Sequence, residues 1–198
     1  VLGMTFHSCL DLEPQDQLGG KNMWTSVNDY KQFANTFYSW TRDFSSVVYD
    51  GTHSDKRSDL ITYQSYNEFS RGINSIPSSD ANYTDNYKHI RRTNLLLQNA
   101  EAYAKPEDIK QYIGEAYFFR AYSYFDLLQL YGDVIITKKP LDITDPEMKV
   151  KRNDRSEVVD LIIDDLNHAV ENLPAFKELT TEEEGRISKE GAQAFLSR

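Results

Sequence analysis

Cysteine is nearly absent. One residue, Cys9, occurs in 198, so neither an internal disulfide nor a multi-cysteine zinc site can form. Basic side chains are outnumbered: 22 Lys and Arg stand against 31 Asp and Glu, for a formal net charge of −9. Arg91-Arg92 and the stretch from Lys149 to Arg155 are too local to offset that balance, which argues against nucleic-acid binding. No apolar run is long enough to cross a bilayer as a helix. Strict apolar–polar alternation is missing, so strands are not expected to organise the fold.

The chemistry-bearing motifs are missing as well. His7, His53, His89 and His168 show no His-Glu-x-x-His or other metal spacing. There is no glycine-rich phosphate loop and no Gly-x-Ser-x-Gly. A glycosidase needs two carboxylates held across a cleft. Asp164-Asp165 and Glu182 to Glu184 are instead adjacent acids on a helix and a loop, and read as solvated faces. The sequence offers no catalytic residue, no metal site and no cofactor signature.

What is present is helix-forming, aromatic material. Hydrophobic residues make up 39% of the chain and aromatics 13%, with thirteen tyrosines, enough for a packed core. Val27, Tyr30, Phe33, Phe37, Trp40 and Phe44 recur at helical spacing behind Ser26 or Asn28, either of which can cap a first helix. A second helix is expected from about Asp85 to Tyr103, with Tyr87, Ile90, Asn94 and Leu97 inward. The third runs from Pro106 to Tyr131, apolar on more than one side and therefore central, with Gly132 as its C-terminal cap. Gly114 and Ala116 in it would let a neighbouring backbone approach closely. A fourth starts near Asp154 or Ser156 and ends before Pro174, with Val158, Leu161, Ile162, Leu166 and Ala169 on its face. A fifth covers Lys189 to Arg198. Its Ala192, Phe195 and Leu196 have no later segment to cover them, which predicts exposed apolar surface and a chain that continues. Between Tyr49 and Ala81 the periodicity fails, and long irregular segments are often functional. The fold class expected is all-α, antiparallel helix pairs with long irregular loops.

The start of the chain leaves two readings open. Val1 to Ser8 looks like the end of a lipoprotein signal peptide, with cleavage before a lipid-bearing Cys9. Alternatively, Cys9 is a free thiol near a frayed terminus.

Three stretches resemble the SusD/RagB family. One is Gly114-Glu-Ala-Tyr-Phe-Phe-Arg-Ala-Tyr-Ser-Tyr-Phe-Asp-Leu-Leu-Gln-Leu-Tyr-Gly-Asp-Val134, although Ile135 stands where the family usually has proline. Another is Tyr87-Lys-His-Ile-Arg-Arg-Thr-Asn94. The third is Leu166 to Pro174, followed by Gly185-Arg186. The resemblance implies a tetratricopeptide-like helical scaffold in a surface lipoprotein that is not an enzyme. It implies a SusC-like TonB-dependent transporter as partner, an oligosaccharide, polysaccharide or peptide as ligand, and attachment to the outer membrane through a lipid anchor alone. It also favours lipidation at Cys9 and divides the chain into a signal remnant (1–8), a lipidated tether (9–23) and an N-terminal part of the helical domain (24–198).

Glycan capture needs an aromatic platform and planar hydrogen-bonding groups. The candidates are Tyr83, where the family often has a tryptophan near its glycan, together with Asn82, Asn86, Arg57 and Asp59. His53 and Asp55 lie in the same loop as Arg57. Tyr83 could equally pack against the loop. A helical-repeat scaffold for a protein partner is the rival reading, and a glycoside hydrolase fragment the third. Arg120 sits on a very apolar helix, with Asp126 six residues later, and calls for a carboxylate or carbonyl partner. Asn94 is expected to bond across a helix pair.

Overall fold

A computed structural model describes residues 23–42, 71–73, 75–142 and 144–198. Five α-helices carry it: α1 (Val27–Asn35), α2 (Ala81–Glu101), α3 (Lys110–Tyr131), α4 (Arg155–Asn172) and α5 (Lys189–Leu196). Among the described residues there is no strand, only an isolated antiparallel bridge in which Asn153 N–H donates to Val134 O at 2.9 Å. The all-α architecture is therefore as the periodicity indicates.

Capping sets the boundaries. At α1, Asp29 N–H donates to Ser26 Oγ at 3.3 Å while the Asp29 carboxylate accepts from Ser26 N–H at 2.8 Å, a reciprocal box. The aromatic stripe then continues through a 3₁₀ turn, Thr36–Trp40, which buries Phe37. Phe44 lies outside the described residues. Helix α2 begins at Ala81 rather than near Asp85, because Asp80 caps it by accepting from Asn82 N–H at 2.9 Å. A 3₁₀ turn, Pro106–Ile109, leads into α3. Gly132 closes α3 at φ 71°, its N–H donating to Leu128 O at 3.0 Å.

Helix α3 is the centre. It packs on α2 along one side and α4 along another, with α1 also against it. Both main pairs are antiparallel. Toward α2, Asn94 meets Arg120 and Asp80 meets Tyr131. Toward α4, Gly114 meets Leu173 and Arg120 meets Asp165. The shared core includes Phe33, Phe37, Ile90, Phe119, Leu127 and Leu166, each at most 2% exposed. Each such side chain contributes about 1.5–3 kcal/mol by leaving water. Phe195 of α5 closes on Phe118 and Phe125 of α3, with ring centroids 5.7 and 5.1 Å away. Ala192 is buried and Leu196 half-buried, so α5 has cover from the earlier helices.

Two polar contacts correct the sequence reading. Asp165 is not solvated: it is 0% exposed and receives two bonds from Arg120, at 2.8 and 2.6 Å. Its position, four residues after Leu161 and seven after Val158, falls on the inner stripe of α4; exposed Asp164 is the solvated one. Asp126 does not serve Arg120 but pairs with Arg42. A second buried pair was not foreseen. Arg186 donates to both oxygens of Glu115 at 2.8 and 2.7 Å and ties the loop before α5 to α3.

Two tests follow from this packing. An ideal Cβ on Gly114 would sit 2.9 Å from Leu173 Cγ and 3.0 Å from the Leu173 backbone nitrogen. Overpacking costs about 1–3 kcal/mol, against a helix-propensity gain of up to about 1 kcal/mol. Gly114→Ala should thus lower stability in urea titration; an unchanged midpoint would mean that α4 ends less tightly on α3. On α2, His89 stacks on Trp40 at 4.1 Å and 14°. Burial, opposed by Asp85 and reinforced by Arg92, pulls its pKa down to about 4 from 6.5. The unfolded chain therefore binds the proton first, and stability is lost as pH falls from about 6.5 toward about 4. His89→Gln should show a smaller drop in melting temperature over that window than the parent protein. An equal drop would assign the acid sensitivity elsewhere.

Candidate functional site

The stretch after α3 is extended but has no sheet to join. Its backbone polar groups still need partners, and side chains supply them in succession. Tyr87 Oη accepts from Ile135 N–H at 2.9 Å and donates to Ile135 O at 2.8 Å. Asn153 Oδ1 accepts from Ile136 N–H at 2.9 Å. Tyr124 Oη accepts from Thr137 N–H at 2.8 Å. Asn94 Nδ2 donates to Thr137 O at 2.9 Å and Lys139 O at 3.3 Å. Burial pushes the Tyr87 and Tyr124 hydroxyls up, so both remain neutral and able to donate at ordinary pH. Residues 134–141 thereby form a strap fixed across α2 and α3.

Between this strap and the first half of α2 lies a cleft of about 400 Å³. Tyr83, Tyr87 and Arg91 line it from α2, one helical ridge at i, i+4 and i+8. Ile135, Thr137, Lys139 and Leu141 line it from the strap, every second residue of an extended chain. Thr84, Lys88 and Glu147 complete it. Lys139 pairs with Glu147 at 2.7 Å, and that carboxylate raises the pKa of the exposed lysine.

Tyr83 is held in place from two sides. Its ring lies 4.8 Å from that of Tyr87 and 5.2 Å from that of Tyr131, the latter edge-on at 89°. Tyr131 donates to Asp80 at 2.7 Å, a bond that is the main cause of the lowered Asp80 pKa. The residue that starts α2 thus also anchors the end of α3 beside the cleft.

The other sequence candidates are placed differently. Asn82 is exposed on the first turn of α2, its amide donating to Asp80 at 3.2 Å, and does not line the cleft. Asn86 is 7% exposed and donates to Asn82 O at 2.8 Å. Cys9, Arg57 and Asp59, with His53 and Asp55, lie outside the described residues. Sequence reasoning missed Arg91, Lys88, Lys139 and Glu147. The i, i+4, i+8 ridge from Tyr83 would have found Arg91. The strap residues carry no such signal, because a tertiary crossing brings them there.

The arrangement suits recognition better than bond breaking. Two tyrosine rings give it an aromatic wall, and Thr137 and the charged side chains can bond hydroxyl groups. Glu147 is the carboxylate among its lining residues. Among the described residues no group of three or more His, Cys, Asp or Glu is placed to hold a metal ion, and no helix is long and apolar enough to cross a membrane.

Residues 10–198 match a SusD-like family model whose description is starch-binding associating with outer membrane. The chain belongs to the SusD-like family. A curated relative, SusD-like protein P38 of Formosa agariphila, is 27% identical over 184 residues, covering 84% of this chain and 34% of that protein. The crystal structure of a SusD-like protein from Bacteroides fragilis superposes with a TM-score of 0.75 at 27% identity, covering 94% of this chain and 37% of the other. A laminarin-binding SusD-like protein gives a TM-score of 0.58 at 30% identity, over 65% of this chain and 28% of that one. The chain spans about a third of the length of the relatives it matches.

Asn94 carries a prediction about the cleft wall. Asn94→Ala removes two donors from the strap and one acceptor from buried Arg120. Leaving a buried polar group unsatisfied costs about 1–3 kcal/mol. Hydrogen exchange at residues 134–141 should accelerate more than in α5. Uniform acceleration throughout would mean that Asn94 supports the whole fold and has no special hold on the strap.

Proposed function

We propose that this SusD-like chain contributes a glycan-binding cleft to a cell-surface protein that captures ligand for a SusC-like TonB-dependent transporter. The observation that carries this reading is the aromatic wall of Tyr83 and Tyr87 facing the strap, in a chain of a family described as starch-binding. A sugar ring has an apolar face of C–H groups and an edge of hydroxyls. The tyrosine wall matches the first, and Arg91, Thr137 and Lys139 match the second. The laminarin-binding relative adds support for a polysaccharide ligand. In this reading the protein binds without covalent chemistry, and a lipid on Cys9 holds it at the outer membrane. Asn82, on the first turn of α2, would extend the polar edge, and Arg57 and Asp59 are further candidates for ligand contact.

The test is calorimetry of the complete, delipidated protein against a panel of soluble glycans and peptides, with a Tyr83→Ala variant beside it. One glycan class should bind saturably and with little salt dependence, and Tyr83→Ala should weaken it about tenfold, or ~1.4 kcal/mol. Glycan affinity untouched by the substitution would move the site away from this cleft. Binding of peptides alone would replace the glycan with a peptide ligand.

A further inference from the structure

A second cleft, of about 300 Å³, lies on the other side of the strap. It is polar where the first is apolar. From α2 it takes Gln98 and Glu101, from α3 Tyr117, from the strap Lys138, and from α4 Asp164 and His168. Lys139 lines both clefts. The strap crosses α2 at Asn94, which bonds its backbone at Thr137 and Lys139. Tyr87 and Arg91 precede that crossing on α2, and Gln98 and Glu101 follow it. The clefts are therefore successive stations along one helix, with the strap as the partition. From Tyr87 to Gln98 the helix rises by about 16 Å.

The chemistry of the second cleft complements the first. His168 stacks on Tyr117 at 4.8 Å and 26°, with its side chain 44% exposed. Around this flat pair stand an amide, two carboxylates and two ammonium groups, of which Lys139 is paired with Glu147, giving donors and acceptors of both signs. Arg120 also lines this cleft, but its guanidinium is already committed to Asp165 and Asn94. The second cleft thus has no free guanidinium to select a strong anion. A neutral, hydroxyl-rich ligand with flat apolar faces meets these demands.

We propose that the two clefts form one extended site, and that the ligand is an oligosaccharide chain crossing the strap at Lys139, with one end against Tyr83 and the other against the Tyr117–His168 pair. This rests on the glycan reading above and deepens it by setting a minimum ligand length. A disaccharide fills one station, whereas a hexasaccharide reaches both.

Matched di- and hexasaccharides of the malto, laminari and xylo series test it, measured by calorimetry on the complete protein. In the series that binds, the hexasaccharide should bind at least about tenfold tighter than the disaccharide, as linked contacts do. The double variant Lys138→Ala/His168→Ala should remove that advantage. So should Gln98→Ala/Glu101→Ala on the opposite wall, where both positions are exposed and the fold does not depend on them. Equal affinity for both lengths overturns the extended site. An advantage that survives both double variants overturns it too. In either case, disaccharide binding lost in Tyr83→Ala would leave the first cleft standing. No binding in any series overturns both readings.

Discussion

A guanidinium ion buried between three helices is the constraint around which this structure is arranged. Arg120 is 5% exposed, on the most apolar helix of the chain. Burial works against its charge, but the Asp165 carboxylate more than offsets this and holds its pKa above the ordinary value. The bidentate geometry uses Nε and one terminal nitrogen, and Asn94 takes the other. Such a cluster adds little net stability over an apolar replacement, yet breaking it by removing one partner costs about 3–5 kcal/mol. Its force is therefore in specificity. Helices α2, α3 and α4 can pack in many registers on apolar contacts alone, but few of those registers bring Asn94, Arg120 and Asp165 together.

The same cluster reaches the cleft beside the strap through one side chain. Asn94 gives its oxygen to Arg120 and its amide hydrogens to the strap. Core and cleft thus share a hydrogen-bond network instead of merely adjoining. An extended segment without a sheet is ordinarily mobile, because water satisfies its backbone as well as protein does. Here Tyr87, Asn94, Tyr124 and Asn153 replace the missing neighbour strand, and the odd-numbered side chains of the strap are held toward α2. The cleft wall is preorganised by residues that do not all touch what occupies it, which reduces the ordering cost of binding.

Helix positions and the central role of α3 were legible in the sequence because periodicity reports burial directly. Gly132 and Ser26 were legible because caps are local. The start of α2 was missed by a turn: Asn82, Tyr83 and Thr84 look like loop residues until Asp80 is seen capping them. Asp165 was misread because an acidic residue beside another acid suggests solvent, although its phase on α4 placed it inward. Charge identity was given more weight than phase, and phase was the better guide. Of the cleft, Tyr83 was legible only through the family resemblance, as the aromatic four residues before Tyr87. The strap was not, since a segment held by side chains distant in sequence has neither a period nor a partner strand to announce it.

The residues that carry the family resemblance turn out to be committed to the scaffold. Glu115 and Arg186, from two separate motifs, are the two ends of one buried ion pair. Arg120 and Asn94 belong to the central cluster, Asp126 holds Arg42, and Tyr124 and Tyr87 pin the strap. Most of these groups have their hydrogen-bonding capacity used within the protein. Family membership can therefore be read from them, because they build the scaffold, and a side chain bound to the scaffold is not available to select a sugar. In the proposed reading, selection would fall to the positions between the motif residues, such as Tyr83, Arg91, Thr137, Lys138 and His168, which the scaffold orients but does not consume. A change at those positions can alter the ligand without disturbing the fold, whereas a change at Arg120 or Glu115 disturbs the fold whatever the ligand.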